Sequence, residues 1–357
     1  MARLLWRNNR DKQVLLGLPV PHEFPGFQAR ADPEFPPTRG TGANGWTEVS
    51  DVYHAPEHAT WAVVELHLQW ARDAKVRWSG VSMEEVPRPK PRLVRLAAVN
   101  FCPTGKTPMG NCRSYAPLIA KAAAQHADLV VLGEAVTYYG LHRTLAQVAE
   151  PIPGPSTEYF GGLARRYNLY IVPGLIERDK GLIYNTAVLI GPDGKIVGKY
   201  RKTALTDGEI AAGITPGNSY PVFNTRFGKV GMMICYDGFF PEVAHQLSLH
   251  GAEVIAWPVW GCNPRLAAAR AIDNQVYLVS STYATPAQHW MISGVWDHAG
   301  HVIAQGKGWG TVAVATVNLN APTYWAFLGD FKDYLSRNRP VAVGENSAAA
   351  EEPPASP

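Results

Sequence analysis

Four side chains in this 357-residue chain have types and positions that could do chemistry: Glu134, Lys202, Glu209 and Cys235. Lys229-Val-Gly-Met-Met-Ile-Cys235 reads as a short apolar strand that ends on a thiol, and Phe240, Val243, Ala244 and Leu247 recur at helical spacing around Pro241. A cysteine between a strand end and a helix N-terminus meets free backbone N–H groups and the positive end of the helix dipole. Both favour a thiolate and can later hold an oxyanion. The same stretch taken alone also fits a buried core cysteine, because free cysteines are often buried. Glu134 closes the apolar run Leu129 to Leu132, Lys202 closes Ile196 to Arg201, and Glu209 lies seven residues further on. Strand C-terminal ends are where open α/β sheets place their sites, although each charge by itself also reads as a surface residue on a loop.

The elements that must position these groups fall into two textures. Residues 1 to 86 alternate in the manner of antiparallel strands. Val64, Leu66, Leu68 and Trp70 share one face and Glu65, His67 and Gln69 the other, and Lys75–Trp78 and Val81–Met83 repeat the pattern. This predicts a small all-β domain, a β-sandwich with a jelly-roll-like character, either reduced or lacking an upstream part. Trp46, Trp61, Trp70 and Trp78 could form a sugar platform, but tryptophans in alternating strands more often serve a core. Val86-Pro-Arg-Pro-Lys-Pro-Arg92 reads as a stiff linker over 87–92. From Leu93 to about 340 strands alternate with helices, and Gly191-Pro-Asp-Gly194 and Asp297-His-Ala-Gly300 mark tight turns, so a layered α/β domain with a mixed sheet is expected. The tail 341–357, rich in Ala, Glu and Pro, has the composition of a disordered segment.

Composition narrows the classes of function. A formal charge of +3 with scattered basic residues argues against a nucleic-acid partner. No apolar run reaches the ~18 residues of a membrane span and the N-terminus lacks a secretory core, so a cytoplasmic protein without membrane contact is the default. An export signal could have been trimmed with upstream residues. Cysteines at 102, 112, 235 and 262 form no Cys-x-x-Cys pair and match no zinc spacing, so no disulfide framework, metal or cofactor is expected. His142, His245, His250 and His289 lack a local signature for a Cys–His dyad.

Glu134, Lys202 and Cys235, 68 and 33 residues apart, together resemble the carbon–nitrogen hydrolase (nitrilase) superfamily in order, spacing and flanking sequence. Gly198-Lys-Tyr-Arg-Lys202, Gly231-Met-Met-Ile-Cys-Tyr-Asp-Gly-Phe-Phe-Pro-Glu242, Pro216-Gly217 and Arg270-Ala-Ile-Asp-Asn-Gln-Val-Tyr277 add to the match, which covers roughly residues 93 to 320. Asp273 stands where the family usually carries Glu, Thr203-Ala204 follows Lys202 where a histidine is common, and the proline usual before the turn at Gly300 is absent. The resemblance implies a nitrilase-like four-layer α-β-β-α sandwich. It also implies roles: Glu134 as general base and acid, Cys235 as nucleophile through a thioester, Lys202 and the backbone N–H of Tyr236 as oxyanion donors, and Glu209 as the carboxylate that positions Lys202. A cysteine needs such help, since it attacks an unactivated amide poorly without proton removal and oxyanion stabilisation.

Tyr236-Asp237 after the nucleophile resembles amidases and carbamoyl-hydrolysing relatives, whereas nitrilases commonly carry Trp-Glu there. The expected substrate is a small amide or N-carbamoyl compound. Nitrile hydrolysis and acyl transfer to an amine are the alternatives, and a binding protein acting through the N-terminal domain, by glycan or polymer contact, is the reading from another class. Tyr138, Tyr139 and Trp260 could wall the pocket, while Trp257 reads as core. Family members assemble through their helical layers, so a homo-oligomer is expected.

Overall fold

The computed structural model describes residues 1–15, 30–69, 73–87, 89–261, 263–284, 292–325, 329–332 and 335. Cys262, His289, Trp70 and the tail 341–357 lie outside them. The chain divides into two units, Met1–Arg88 with Tyr324–Pro357, and Pro89–Thr323. The division falls inside the proline-rich stretch, while the α/β unit ends earlier than the expected 340.

In the first unit β1 (Ala2–Arg7) pairs antiparallel with β4 (Trp61–Leu66), and β2 (Thr38–Thr41) pairs with β3 (Thr47–Val49). Leu4, Trp6, Val14 and Ala31 make its small core. The described residues thus hold two-stranded sheets where two packed sheets of a β-sandwich were expected, and Lys75–Trp78 and Val81–Met83 form no strand. The apolar face of β4 also looks outward, with Val64 41% and Leu66 39% exposed, as is Leu68 just beyond it at 48%, while Glu65 is half-buried and pairs with Arg3. Alternation tells which residues share a face, and only a covering layer decides which face is inside. Trp46 and Trp61 are likewise exposed and not core.

The second unit runs β5 (Leu93–Asn100), α1 (Pro108–Ser114), α2 (Ala116–Ala124), β6 (Leu129–Val131), α3 (Leu145–Val148), α4 (Pro155–Tyr167), β7 (Tyr170–Val172), β8 (Gly174–Asp179), β9 (Leu182–Ile190) and β10 (Ile196–Arg201). It continues with α5 (Asp207–Ala211), β11 (Val222–Asn224), β12 (Lys229–Met232), α6 (Pro241–Leu249), β13 (Val254–Pro258), α7 (Pro264–Asn274), β14 (Tyr277–Ser281), β15 (Gly294–Trp296), β16 (Val302–Gln305) and β17 (Thr311–Asn318). One sheet has the order β10-β9-β7-β6-β5-β17 with β8 on β9, the other β11-β12-β13-β14-β15-β16. Each is mixed. Strands β5, β6 and β7, and β12, β13 and β14, run parallel, and hairpins extend them.

Four layers follow from the way each strand splits its side chains. Val94, Leu96 and Ala98 of β5 face the core shared with the second sheet, while Ala97 and Val99 face Leu118, Ile119 and Ala122 of α2 and Phe160 and Ala164 of α4. Leu129 and Val131 against Val130, and Ala187 and Leu189 against Val188 and Ile190, split the same way. A strand apolar at every position is what burial on both faces demands. On the far side α6 and α7 contribute Val243, Ala244, Leu247, Ala267 and Ala271 to the second sheet. The sheets are also tied through hydrogen bonds, as Ser281 Oγ donates to the Val131 carbonyl at 2.5 Å and accepts from Val99 N–H at 2.8 Å. Among the described residues no helix is long and apolar enough to cross a membrane.

One polar cluster is built into this frame. Glu177 on β8, 1% exposed, accepts from Lys199, from Arg201 at 2.8 and 2.9 Å and from Thr186 Oγ1 at 2.9 Å, and the Arg201 guanidinium lies 3.7 Å from the centre of the Tyr184 ring. Burial raises the Glu177 carboxyl, but the two cations and the hydroxyl lower it more, so its net shift is downward. A carboxylate lowered in the fold stabilises the protein above the unfolded value of about 4.3, and that stability is lost as pH falls. Glu177→Gln is therefore expected to lose on the order of 2–3 kcal/mol at pH 7. Urea melts at pH 7 and in acid should find the gap from wild type narrowing as the pH drops; a constant gap would refute the ionic account.

Candidate active site

Two strands of the first sheet, one of the second and the short helix α5 deliver the candidate residues to one place. Glu134 lies just beyond β6, 5% exposed, and its placement needs a bare backbone opposite, since a Cβ on Gly174 would come within 2.8 Å of the Glu134 Cα. Lys202 follows β10 and is 1% exposed. Its N–H donates to the Asn185 carbonyl and its own carbonyl accepts from Gly217 N–H, both at 2.8 Å. A Cβ at position 217 would stand 2.1 Å from the Arg201 carbonyl oxygen, which explains the glycine of the Pro216-Gly217 pair.

Lys202 Nζ donates to Glu134 Oε1 at 3.0 Å and to Glu209 Oε1 and Oε2 at 2.9 and 2.8 Å. Glu209 belongs to α5 and not to a loop. It is the third helical residue of a capping box in which Thr206 Oγ1 accepts from Glu209 N–H and Glu209 Oε2 accepts from Thr206 N–H at 3.0 Å. The cap therefore fixes the carboxylate that holds the lysine. Burial lowers the Lys202 ammonium's affinity for its proton, but Glu134, Cys235 and Glu209 raise it more, and the lysine is firmly a cation. Glu209 shifts the other way: burial raises it, and Lys202, Asn185 and the Thr206 backbone bring it below the ordinary glutamate range.

Cys235 opens a 3-10 turn, Cys235–Phe239, that precedes α6. The expected helix is there, but this turn stands between it and the thiol, so the N–H groups nearest Cys235 are those of the turn. Cys235 has φ +40°, a left-handed conformation that costs a non-glycine residue about 1–2 kcal/mol. The surroundings hold it there. Its carbonyl accepts from Trp257 Nε1 at 3.2 Å, and Arg270 Nε donates to the Gly238 carbonyl at 3.2 Å. Trp257 is fully buried, as expected.

The thiol itself departs from expectation. Burial and the Glu134 carboxylate push it up, Lys202 and the backbone at Trp260 pull it down, and the balance is well upward. This direction favours the neutral thiol over the thiolate. The groups that act on it most strongly include no histidine.

Asp237 lies in the same turn as Cys235. It is fully buried and accepts from Ile234 N–H and Ala204 N–H at 2.8 Å, from Thr203 N–H at 3.3 Å and from Tyr200 Oη at 2.8 Å. These bonds tie the loop after Lys202 to the nucleophile turn. Tyr236 follows Cys235 in the turn and packs its ring against Phe239 and Phe240, with centroids 5.2 Å apart in each pair.

Tyr138 and Trp260 do come together, with ring centroids 6.3 Å apart. Tyr139 stands closer, 4.7 Å from Trp260 and 3.8 Å from Tyr283, and its hydroxyl accepts from Cys102 Sγ at 3.2 Å. Tyr283 was not singled out by sequence. Its hydroxyl donates to the Glu134 carbonyl at 2.6 Å across 149 residues of chain, a contact no local pattern announces. Asn185 was also missed, although a polar residue in the apolar strand Tyr184–Ile190 is itself a signal that a buried partner exists. Its Nδ2 donates to Glu134 Oε1 and to Glu209 Oε1, each at 2.8 Å. Among the described residues no cluster of His, Cys, Asp and Glu is arranged to hold a metal ion.

The carbon–nitrogen hydrolase family profile matches residues 46–327, so it reaches further toward the N-terminus than the resemblance over 93–320. A protein named nitrilase from Pyrococcus abyssi is 40% identical over 197 residues, 53% of this chain and 74% of its own length. The omega-amidase NIT2 of Xenopus tropicalis is 34% identical over 252 residues, 63% of this chain and 88% of its own. Among solved structures, Saccharomyces cerevisiae Nit3, described as a member of branch 10 of the nitrilase superfamily, superposes with a TM-score of 0.56 at 26% identity, covering 63% of this chain and 90% of that one. An amidase from Nesterenkonia shares the fold, with a TM-score of 0.57 at 21% identity over 69% of this chain and 93% of its own. With the family profile matched over most of its length and these relatives matched over most of theirs, the chain belongs to the carbon–nitrogen hydrolase family.

Proposed function

We propose that the protein hydrolyses the C–N bond of a small non-peptide amide or N-carbamoyl compound through a thioester on Cys235, with release of ammonia. The observation that carries this reading is the buried Lys202 ammonium held between Glu134 and Glu209 and acting on the Cys235 thiol. Because the thiol is neutral at rest, its proton must leave as the bond to carbon forms. Glu134 takes that proton while sulfur attacks the carbonyl carbon, and the oxygen that becomes negative is met by Lys202 and the N–H of Tyr236. When the tetrahedral adduct collapses, the C–N bond breaks and Glu134 returns the proton to the departing nitrogen. Water then gives a proton to Glu134 and attacks the thioester; the acid leaves and the thiol is restored.

The aromatic group of Tyr138, Tyr139, Trp260 and Tyr283 supports an apolar or aromatic acyl portion. A relative named omega-amidase at 34% identity favours amides, and one named nitrilase at 40% keeps nitriles in the test. Ammonia release should be measured with aliphatic and aromatic primary amides, N-carbamoyl amino acids and the matching nitriles. Turnover is expected with amides or carbamoyl compounds ahead of nitriles; turnover of nitriles alone, or of none of the panel, would contradict the assignment.

A further inference from the structure

We infer that Asn185 is a positioning residue that sets the protonation state of the carboxylate pair, an assignment that rests on the reading of Glu134 as the base. Its Nδ2 and the Lys202 Nζ bridge the same two oxygens, Glu134 Oε1 and Glu209 Oε1, from different sides, so that four hydrogen bonds of 2.8 to 3.0 Å close a ring. The amide must present nitrogen to this ring, because its oxygen would face two carboxylates. Asn185 is 4% exposed and sits on β9, which is paired on both sides by β8 and β10, with Asn185 itself opposite Ile176 of β8.

Charge explains why a neutral donor occupies the place. Two ionised carboxylates and one ammonium leave the ring with a single negative charge, which gives Glu134 a reason to accept the proton of Cys235. A second cation here would cancel that charge and weaken the base. With no donor at all, the two carboxylates would share one ammonium, and a proton would be taken up at higher pH to relieve their repulsion. The Asn185 N–H pair stabilises both charged groups without neutralising them. The titratable groups around it are Glu134 beyond β6, Lys202 beyond β10, Glu209 on α5 and Cys235 on its turn, with the Tyr283 hydroxyl on the Glu134 carbonyl. On the neighbouring strands Glu177, Lys199 and Arg201 form their own ion cluster.

The test reads Cys235 directly, by its rate of alkylation with iodoacetamide as a function of pH in wild type, Asn185→Ala and Asn185→Asp, with thermal melts alongside. Alkylation needs no amide turnover, so a failure of the amidase assignment, seen as silence in the ammonia panel, is distinguishable from a failure here. Losing donors to a charged group should move the acid limb of the profile up by on the order of one pH unit in Asn185→Ala. In Asn185→Asp, which keeps the shape and adds a third carboxylate, it should move further. The limb belongs to the coupled carboxylates as a set. A folded variant of either kind whose acid limb coincides with wild type would overturn the proposal; Asn185→Asp preserves the volume of the side chain should the alanine variant not fold.

Discussion

Cys235→Ala is expected to reduce ammonia release to background, a loss of roughly 10⁴-fold or more in kcat. The fold should survive the change, because the truncation removes a single sulfur atom whose contact to the Gly261 carbonyl is a long 3.8 Å. Cys235→Gly makes a sharper version of the same test. With φ at +40°, glycine relieves the left-handed strain, so this variant should be inactive yet as stable as wild type or more so, by up to about 1 kcal/mol. Activity lost together with stability gained would mark the strain as belonging to the presentation of the thiol. Urea titration with a parallel ammonia assay separates the two quantities.

Lys202→Ala should damage both function and fold. Removing an oxyanion donor costs about 3–4 kcal/mol of barrier, hence 10²–10³-fold in kcat. Removing the sole ammonium from between two buried carboxylates leaves them unpaired, at a cost of about 3–5 kcal/mol of stability. The pH dependence of that cost follows from the two shifts. Lys202 is raised in the fold, so its contribution is complete below the unfolded lysine value of about 10.4. Glu209 is lowered, so its contribution is present above about 4.3 and is lost as the pH falls. The variant should therefore be weakest between these limits and approach wild type in acid. Thermal melts across pH 2 to 9 would check this, and an unchanged midpoint at neutral pH would contradict the buried ion pair.

What sequence revealed of this site, and what it hid, divides along the range of the interactions. Glu134 and Cys235 were legible because each ends an apolar run, which becomes a strand whose end is a defined place in the sheet, and Lys202 because it closes the strand that follows the Gly191–Gly194 turn. The role of Glu209 was legible by resemblance, but its place on α5 was not, since five residues make a helix only when a cap such as Thr206 supports it. Tyr283 reaches Glu134 across 149 residues with no local trace in the chain, whereas Asn185, 51 residues away, is marked locally as a polar side chain in an apolar strand, which signals a buried partner but does not name it. Strand and helix around the thiol were both foreseen, but the 3-10 turn between them was not, because a five-residue turn leaves no periodic pattern in the sequence. The N-terminal strand shows the limit of periodicity itself. β4 pairs antiparallel as expected, yet Val64 and Leu66 look outward, because pattern sets the faces and packing chooses between them.

The central claim, that Cys235 carries the acyl group between two half-reactions, is tested most directly by acid-quenching the enzyme during turnover of an amide and measuring the mass of the peptide that contains Cys235. The account predicts an increase equal to the acyl group on that peptide, absent in Cys235→Ala. Ammonia released at the wild-type rate by Cys235→Ala, or turnover with no acylated Cys235 at any quench time, would contradict it.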